Sequence, residues 1–156
     1  MTDAPTPDLP DFTALGGRLE LSAPATPEIL DLVHGMIEQL WTTHPDIGDR
    51  DRVRFEMSVI EILGNIVEHA YQADDQHPSS RRFEIVLAAT DDRLLAHLAD
   101  NGLPVGLDLS GAVMPDELAE SGRGLALATA ALDDLSYRRV GDRNHWDLLC
   151  LRASSG

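Results

Sequence analysis

No lysine occurs anywhere in the chain; all 12 basic residues are arginines. A phosphate loop built around a lysine and an enzyme working through a lysine Schiff base are both excluded. Basic charge of any kind is scarce, since 27 acidic residues leave a formal charge of −15. Gripping a nucleic-acid backbone depends on clustered cations, so DNA and RNA are not expected partners. The acidic excess favours a basic protein partner, serves solubility equally well, and repels polyphosphates unless a divalent cation intervenes. Cysteine is limited to Cys150, so no disulfide can form within the chain. It sits in an alternating apolar run and reads as a buried structural thiol. No apolar run approaches the roughly 20 residues that span a bilayer. Nor does a basic stretch followed by an apolar one mark a secretory signal, so a cytoplasmic protein away from membranes is expected.

What is present suits one packed domain: 156 residues, 43% of them hydrophobic. Residues 1–17 are rich in proline, aspartate and threonine without any period, and are expected to form a flexible N-terminal segment ahead of a domain over 18–153. Arg18 to Ala23 alternates as a strand. Thr26 is placed to cap a helix that runs to about Thr43, with Ile29, Leu30, Leu32, Val33, Met36, Ile37 and Leu40 at helical spacing. After a turn over His44 to Asp49, a longer helix is predicted from about Asp51 to Tyr71, then a polar loop from Ala73 to Ser80. Arg82 to Ala89 and Leu94 to Ala99 read as a hairpin turning at Asp91-Asp92. Glycines, prolines and small residues from Asn101 to Ser121 suit a lid or binding loop. Gly122 to Leu132 reads as a helix. Leu135 to Val140 and Trp146 to Arg152 read as strands around a turn at Gly141 to Asn144. The order β-α-α-β-β-loop-α-β-β predicts an α+β, two-layer sandwich: a mixed, mostly antiparallel sheet with helices on one face.

Three segments carry chemistry. On the long helix, Phe55, Val59, Ile62, Leu63, Ile66 and Ala70 share one arc, while Met57, Glu61, Asn65, Glu68 and Gln72 gather opposite. Glu61 and Asn65 lie one turn apart and project the same way. An amide oxygen there suits a hard cation such as Mg²⁺, and a carboxylate suits proton acceptance from a hydroxyl; a plainly solvated face fits the same pattern. His69 follows Asn65 by four, but no further histidine or cysteine stands at ligand spacing, which favours a surface histidine. The second segment, Asp100-Asn101-Gly102, ends a strand. It reads either as an ordinary turn or as a carboxylate set into a pocket to accept from an exocyclic amine such as that of adenine. The third, Ser121-Gly122-Arg123-Gly124-Leu125, opens a helix whose unpaired N–H groups suit an anion, with Arg123 as a further donor. It lacks the spacing of a dinucleotide fingerprint, and glycine also serves as a plain cap.

In order and spacing these segments resemble the GHKL (Bergerat-fold) ATP-binding domains, and most closely the anti-sigma-factor serine kinases. EILGNIVEHAY is similar to their N box, DNGLP to their first glycine box and SGRGLAL to their second. The resemblance spans about Arg18 to Arg152. It implies ATP and Mg²⁺ as cofactors, with Asn65 as the metal ligand and Glu61 as general base. Asp100 would hold the adenine amine, with Gly102 shaping the turn, and Gly122, Arg123, Gly124 and Leu125 would line the phosphates. Residues 103–121 would be the ATP lid. It further implies binding to a sigma factor, phosphorylation of a serine on a STAS-domain antagonist, and a homodimer.

Two positions depart from the family pattern. Many relatives carry a Gly-Thr pair on the last strand that supports the adenine-binding aspartate; this region reads Asn144-His145-Trp146. The expected lid is acidic, with Asp108, Asp116, Glu117 and Glu120, and has no lysine. A binding module that switches partners without phosphotransfer is the competing reading, although both Glu61 and Asn65 are retained. A detached histidine-kinase catalytic domain is a third, disfavoured because no phosphoacceptor helical hairpin precedes the motifs.

Overall fold

The computed structural model describes residues 18–73, 81–102 and 121–153, with no account of the side chains of 69–73 and 121–125. Their elements run β1 (Leu19–Pro24), α1 (Ile29–Thr43), α2 (Asp49–Ala73), β2 (Arg82–Ala89), β3 (Arg93–Asp100), α3 (Ser121–Ala131), β4 (Asp134–Val140) and β5 (Arg143–Leu151). This is the expected order. The N-terminal segment, nearly all of the polar loop and the expected lid up to residue 120 lie outside the described residues.

The sheet has the order β1-β2-β3-β5-β4, and each neighbouring pair is antiparallel. The parallel component of a mixed sheet is therefore not found among the described residues, and the topology explains why. β3 and β4, joined through α3, point the same way, but β5 inserts between them and runs against both.

Alternation along the strands sends Phe83, Ile85 and Leu87, then Leu94, Ala96 and Leu98, then Trp146, Leu148 and Cys150 into one core. Val33, Ile37 and Leu40 of α1 and Phe55, Val59, Ile62, Leu63 and Ile66 of α2 meet them at helical spacing, so the helices cover that face. Each large aliphatic or aromatic side chain so buried contributes about 1.5–3 kcal/mol. Cys150 is buried, as its position in the alternation implied, and burial pushes its thiol pKa up.

Two local expectations change. Thr26 does not cap α1: the helix starts at Ile29 with Glu28 as its N-cap residue and no side-chain capping bond. Thr26 instead closes a preceding turn, its carbonyl accepting from the Ile29 N–H at 3.1 Å. The last hairpin is also tighter than the composition suggested. Its turn is Gly141-Asp142, with Gly141 at φ 60 in the left-handed region open to glycine, and β5 already starts at Arg143. Asn144 thus belongs to a strand, directly across from Asp100.

Candidate functional site

Asp100 ends the central strand β3 and is buried to 6% exposure. Its Oδ1 accepts from the Gly102 N–H at 2.8 Å and from Asn144 Nδ2 at 2.9 Å. Among the described residues no group donates to Oδ2, so one carboxylate oxygen is anchored and the other is left as an acceptor. Glycine is required at 102 for close approach rather than for φ, because a Cβ there would lie 2.8 Å from Asp100 Oδ1. Around this pair Arg81 Nη1 donates to the Asn101 carbonyl at 2.8 Å, and Asn101 Oδ1 accepts from the Arg82 N–H at 2.9 Å. Arg139 Nη1 donates to the Gly102 carbonyl at 2.6 Å. The chain is therefore held on both sides of Gly102 just where the expected lid begins.

On α2, Glu61 and Asn65 are each half-buried, on the polar arc expected of them. Asn65 Nδ2 is buried without a hydrogen-bond partner among the described residues. A buried amide donor left unmade costs about 1–3 kcal/mol, so this N–H is suited to an acceptor on a ligand. A neutral oxygen donor beside a carboxylate one turn away fits a hard divalent cation that keeps part of its water shell. Among the described residues no group of three or more histidine, cysteine or acidic side chains forms a self-sufficient metal cage. Magnesium here would have to share its ligands with a bound phosphate.

α2 carries Asn65 and also anchors the sheet. Near its start, Asp51 and Arg54 bond to Ala153, Leu151 and Cys150, beside the first residue of β3. Asn65 lies 11 residues beyond Arg54, about 16 Å further along the helix at 1.5 Å per residue. α2 also packs against β3 and α3. The first turn of α3 holds Ser121, Gly122, Arg123 and Gly124 and begins where the expected lid ends; N–H groups of a first turn have no partner within the helix. Side-chain positions of Gly122 to Leu125, and of His69, lie outside what is described.

An acceptor carboxylate, an unpartnered amide N–H with a carboxylate neighbour and a glycine-led helix start together suit a nucleotide polyphosphate. Over residues 23–149 the chain matches the histidine kinase-like ATPase domain family. It belongs to that family. ATP is accordingly the nucleotide this ATPase domain uses. It is similar to serine-protein kinase RsbW of Bacillus velezensis, 30% identical over 132 residues that cover 77% of each chain. It is also similar to serine/threonine-protein kinase BtrW of Bordetella bronchiseptica, 32% identical over 125 residues covering 74% of this chain and 82% of the relative. A crystal structure of the RsbU and RsbW domains of a Mycobacterium tuberculosis protein shares the fold, with a TM-score of 0.62 at 18% identity. That match covers 87% of the present chain and 33% of the other, so this ATPase domain spans about a third of that larger chain. No helix of the described residues is long and apolar enough to cross a membrane.

Sequence reading placed Asn144 where relatives support this aspartate but missed Tyr137 and Arg139, which carry no motif; the strand register brings Asn144 opposite Asp100 and Arg139 opposite Asn144.

Proposed function

We propose that this ATPase domain is an ATP-dependent protein serine kinase and anti-sigma factor whose substrate is a STAS-domain antagonist. The observation that carries the reading is the buried Asn65 N–H with no partner among the described residues, one helical turn from Glu61, on the helix that packs against both β3 and α3. Asp100 Oδ2 accepts from the adenine amine, and Gly122, Arg123, Gly124 and Leu125 line the phosphates. Asn65 would hold Mg²⁺ through its amide oxygen, and the ion would supply charge neutralisation for the triphosphate.

Glu61 orients the substrate serine and takes its proton as the hydroxyl oxygen bonds to the γ-phosphorus. The bond from that phosphorus to the β–γ bridging oxygen breaks, and ADP leaves. Positioning and charge neutralisation supply most of the rate in such transfers. The similarity to named serine kinases at about the same length supports this chemistry. A sigma factor and a STAS protein as alternating partners, a homodimer and a cytoplasmic setting belong to the same reading, and the net charge of −15 favours basic surfaces on the partners.

The test is transfer of label from ATP to candidate STAS proteins in the presence of Mg²⁺, by wild type, Glu61→Ala and Asn65→Ala. We expect both substitutions to lower transfer by on the order of 10²–10⁴-fold, with nucleotide binding kept in Glu61→Ala. Undiminished transfer by Glu61→Ala would remove it as the base. Tight ATP binding by wild type without transfer to any STAS partner would instead favour a module that switches partners by binding alone.

A further inference from the structure

Asp100 can read an amine only if its carboxylate is held in one orientation, and the departure from the family pattern at Asn144 lies at the residue that holds it. Asn144 is 1% exposed and pairs with Asp100 across β3 and β5. Its Nδ2 donates to Asp100 Oδ1 at 2.9 Å, and its Oδ1 accepts from Arg139 Nη1 at 3.1 Å and from the Tyr137 hydroxyl. Chemistry allows only one orientation of this carboxamide. A guanidinium can only donate and a carboxylate can only accept, so the amide must turn its oxygen to Arg139 and its N–H to Asp100. Tyr137 is itself fixed by its ring, 4.7 Å from that of the buried Trp146.

We propose that Asn144, locked by Tyr137 and Arg139, is a positioning residue that occupies Asp100 Oδ1 and so reserves Oδ2 for the exocyclic amine of the purine. With Oδ1 taken by two donors, the carboxylate cannot rotate without breaking the bonds from Gly102 and Asn144. The remaining oxygen is an acceptor and selects a base that offers a donor. A base presenting a carbonyl there would set lone pair against lone pair. The chain thereby reaches adenine selectivity with an asparagine-tyrosine-arginine support in place of the Gly-Thr pair. This rests on the reading of Asp100 as the adenine contact.

The experiment compares dissociation constants for ATP and for purine riboside triphosphate, the same nucleotide without the 6-amino group, with Mg²⁺ present. Wild type is expected to prefer ATP. In Asn144→Leu, which keeps the volume and removes the donor, we expect ATP affinity to fall about tenfold while affinity for the amine-free nucleotide holds, so the preference collapses. Tyr137→Phe keeps the ring against Trp146 and removes one of the two donors; the preference should fall about threefold. Equal losses for both nucleotides in Asn144→Leu would mark simple packing damage and overturn the inference. If Asn144→Leu does not fold, Tyr137→Phe decides alone, and an unchanged preference there is the overturning result. A wild-type chain with no preference for ATP would overturn the adenine reading at Asp100 and this inference with it, whereas a preference kept in both variants overturns the positioning role only.

Discussion

The two ends of the central strands use polar groups in opposite ways. At the end formed by Arg93 and Leu151, Arg54, Asp133, Asp51 and Arg152 are tied to one another and to backbone, with Arg54 Nε left buried and unpartnered among the described residues. Arg54 Nη2 lies 2.7 Å from Cys150 Sγ, 3.0 Å from the Leu151 carbonyl and 3.4 Å from Asp133 Oδ2. Asp133 Oδ2 accepts from the Leu151 N–H at 2.6 Å, and Asp51 Oδ2 from the Ala153 N–H at 2.9 Å. Arg152 donates to the Thr90 carbonyl and to Asp46, each at 2.6 Å, and its guanidinium holds the Asp46 carboxyl below its usual range. At the Asp100 end, by contrast, one carboxylate oxygen has no donor among the described residues, and on α2 the Asn65 N–H is buried without a partner among them. The first end is a clamp that joins the helical layer to the sheet. The second leaves hydrogen-bonding capacity open in the folded state, which lowers stability and is what a ligand can use.

The sharpest way to break this contrast is to remove one residue from each end and measure both binding and stability. Asp100→Ala should lower ATP affinity by on the order of 100-fold in calorimetry, since it deletes the acceptor and orphans Asn144 Nδ2 and the Gly102 N–H. Arg54→Ala should do the reverse, destabilising the fold by about 2–3 kcal/mol in urea unfolding while leaving the ATP dissociation constant near wild type. Comparable effects of both substitutions on ATP binding would erase the distinction. A finer change, Gly102→Ala, inserts a Cβ 2.8 Å from Asp100 Oδ1. We expect roughly tenfold weaker ATP binding, measured by the same titration, because the Asp100 carboxylate must shift.

The smallest effect concerns pH, on the face of the sheet away from the helices. Burial lowers the pKa of His145, with neighbouring His97, Arg138 and Arg143 adding repulsion. The unfolded chain therefore takes up a proton at higher pH than the folded one. Stability should fall as pH drops through the ordinary histidine range toward the lowered value, and level off below it. His145→Gln should flatten that part of the profile, seen as a smaller difference between urea midpoints at neutral and mildly acidic pH.

Periodicity made most of the fold legible. Apolar patterning marks most of the elements, though β3 is nearly continuously buried and α3 is legible from its glycine-led start, and the boundaries move by only a few residues. The failure with consequences was at Gly141-Asp142-Arg143-Asn144. Glycine, aspartate and asparagine favour turns, yet pairing with β3 and β4 draws Arg143 and Asn144 into a strand and overrides local preference. Thr26 failed similarly, because a turn over Pro27 intervened before the helix. Of the candidate site, the chemical groups were legible and most of their supports were not. Glu61 and Asn65 lie one turn apart on a helix, which spacing reveals, and Asp100 and Gly102 lie two residues apart at a strand end. Tyr137 and Arg139 act across the sheet, where the register joins them to Asn144, and Arg54 acts between the layers, where helix packing joins it to its partners.

A crystal structure of the chain with a non-hydrolysable ATP analogue and Mg²⁺ tests the central claim most directly. We expect the purine amine within hydrogen-bond distance of Asp100 Oδ2, the metal ligated by Asn65 Oδ1, and the phosphates against the first turn of α3. A nucleotide seated with its base away from Asp100, or a metal bound without Asn65, would contradict it.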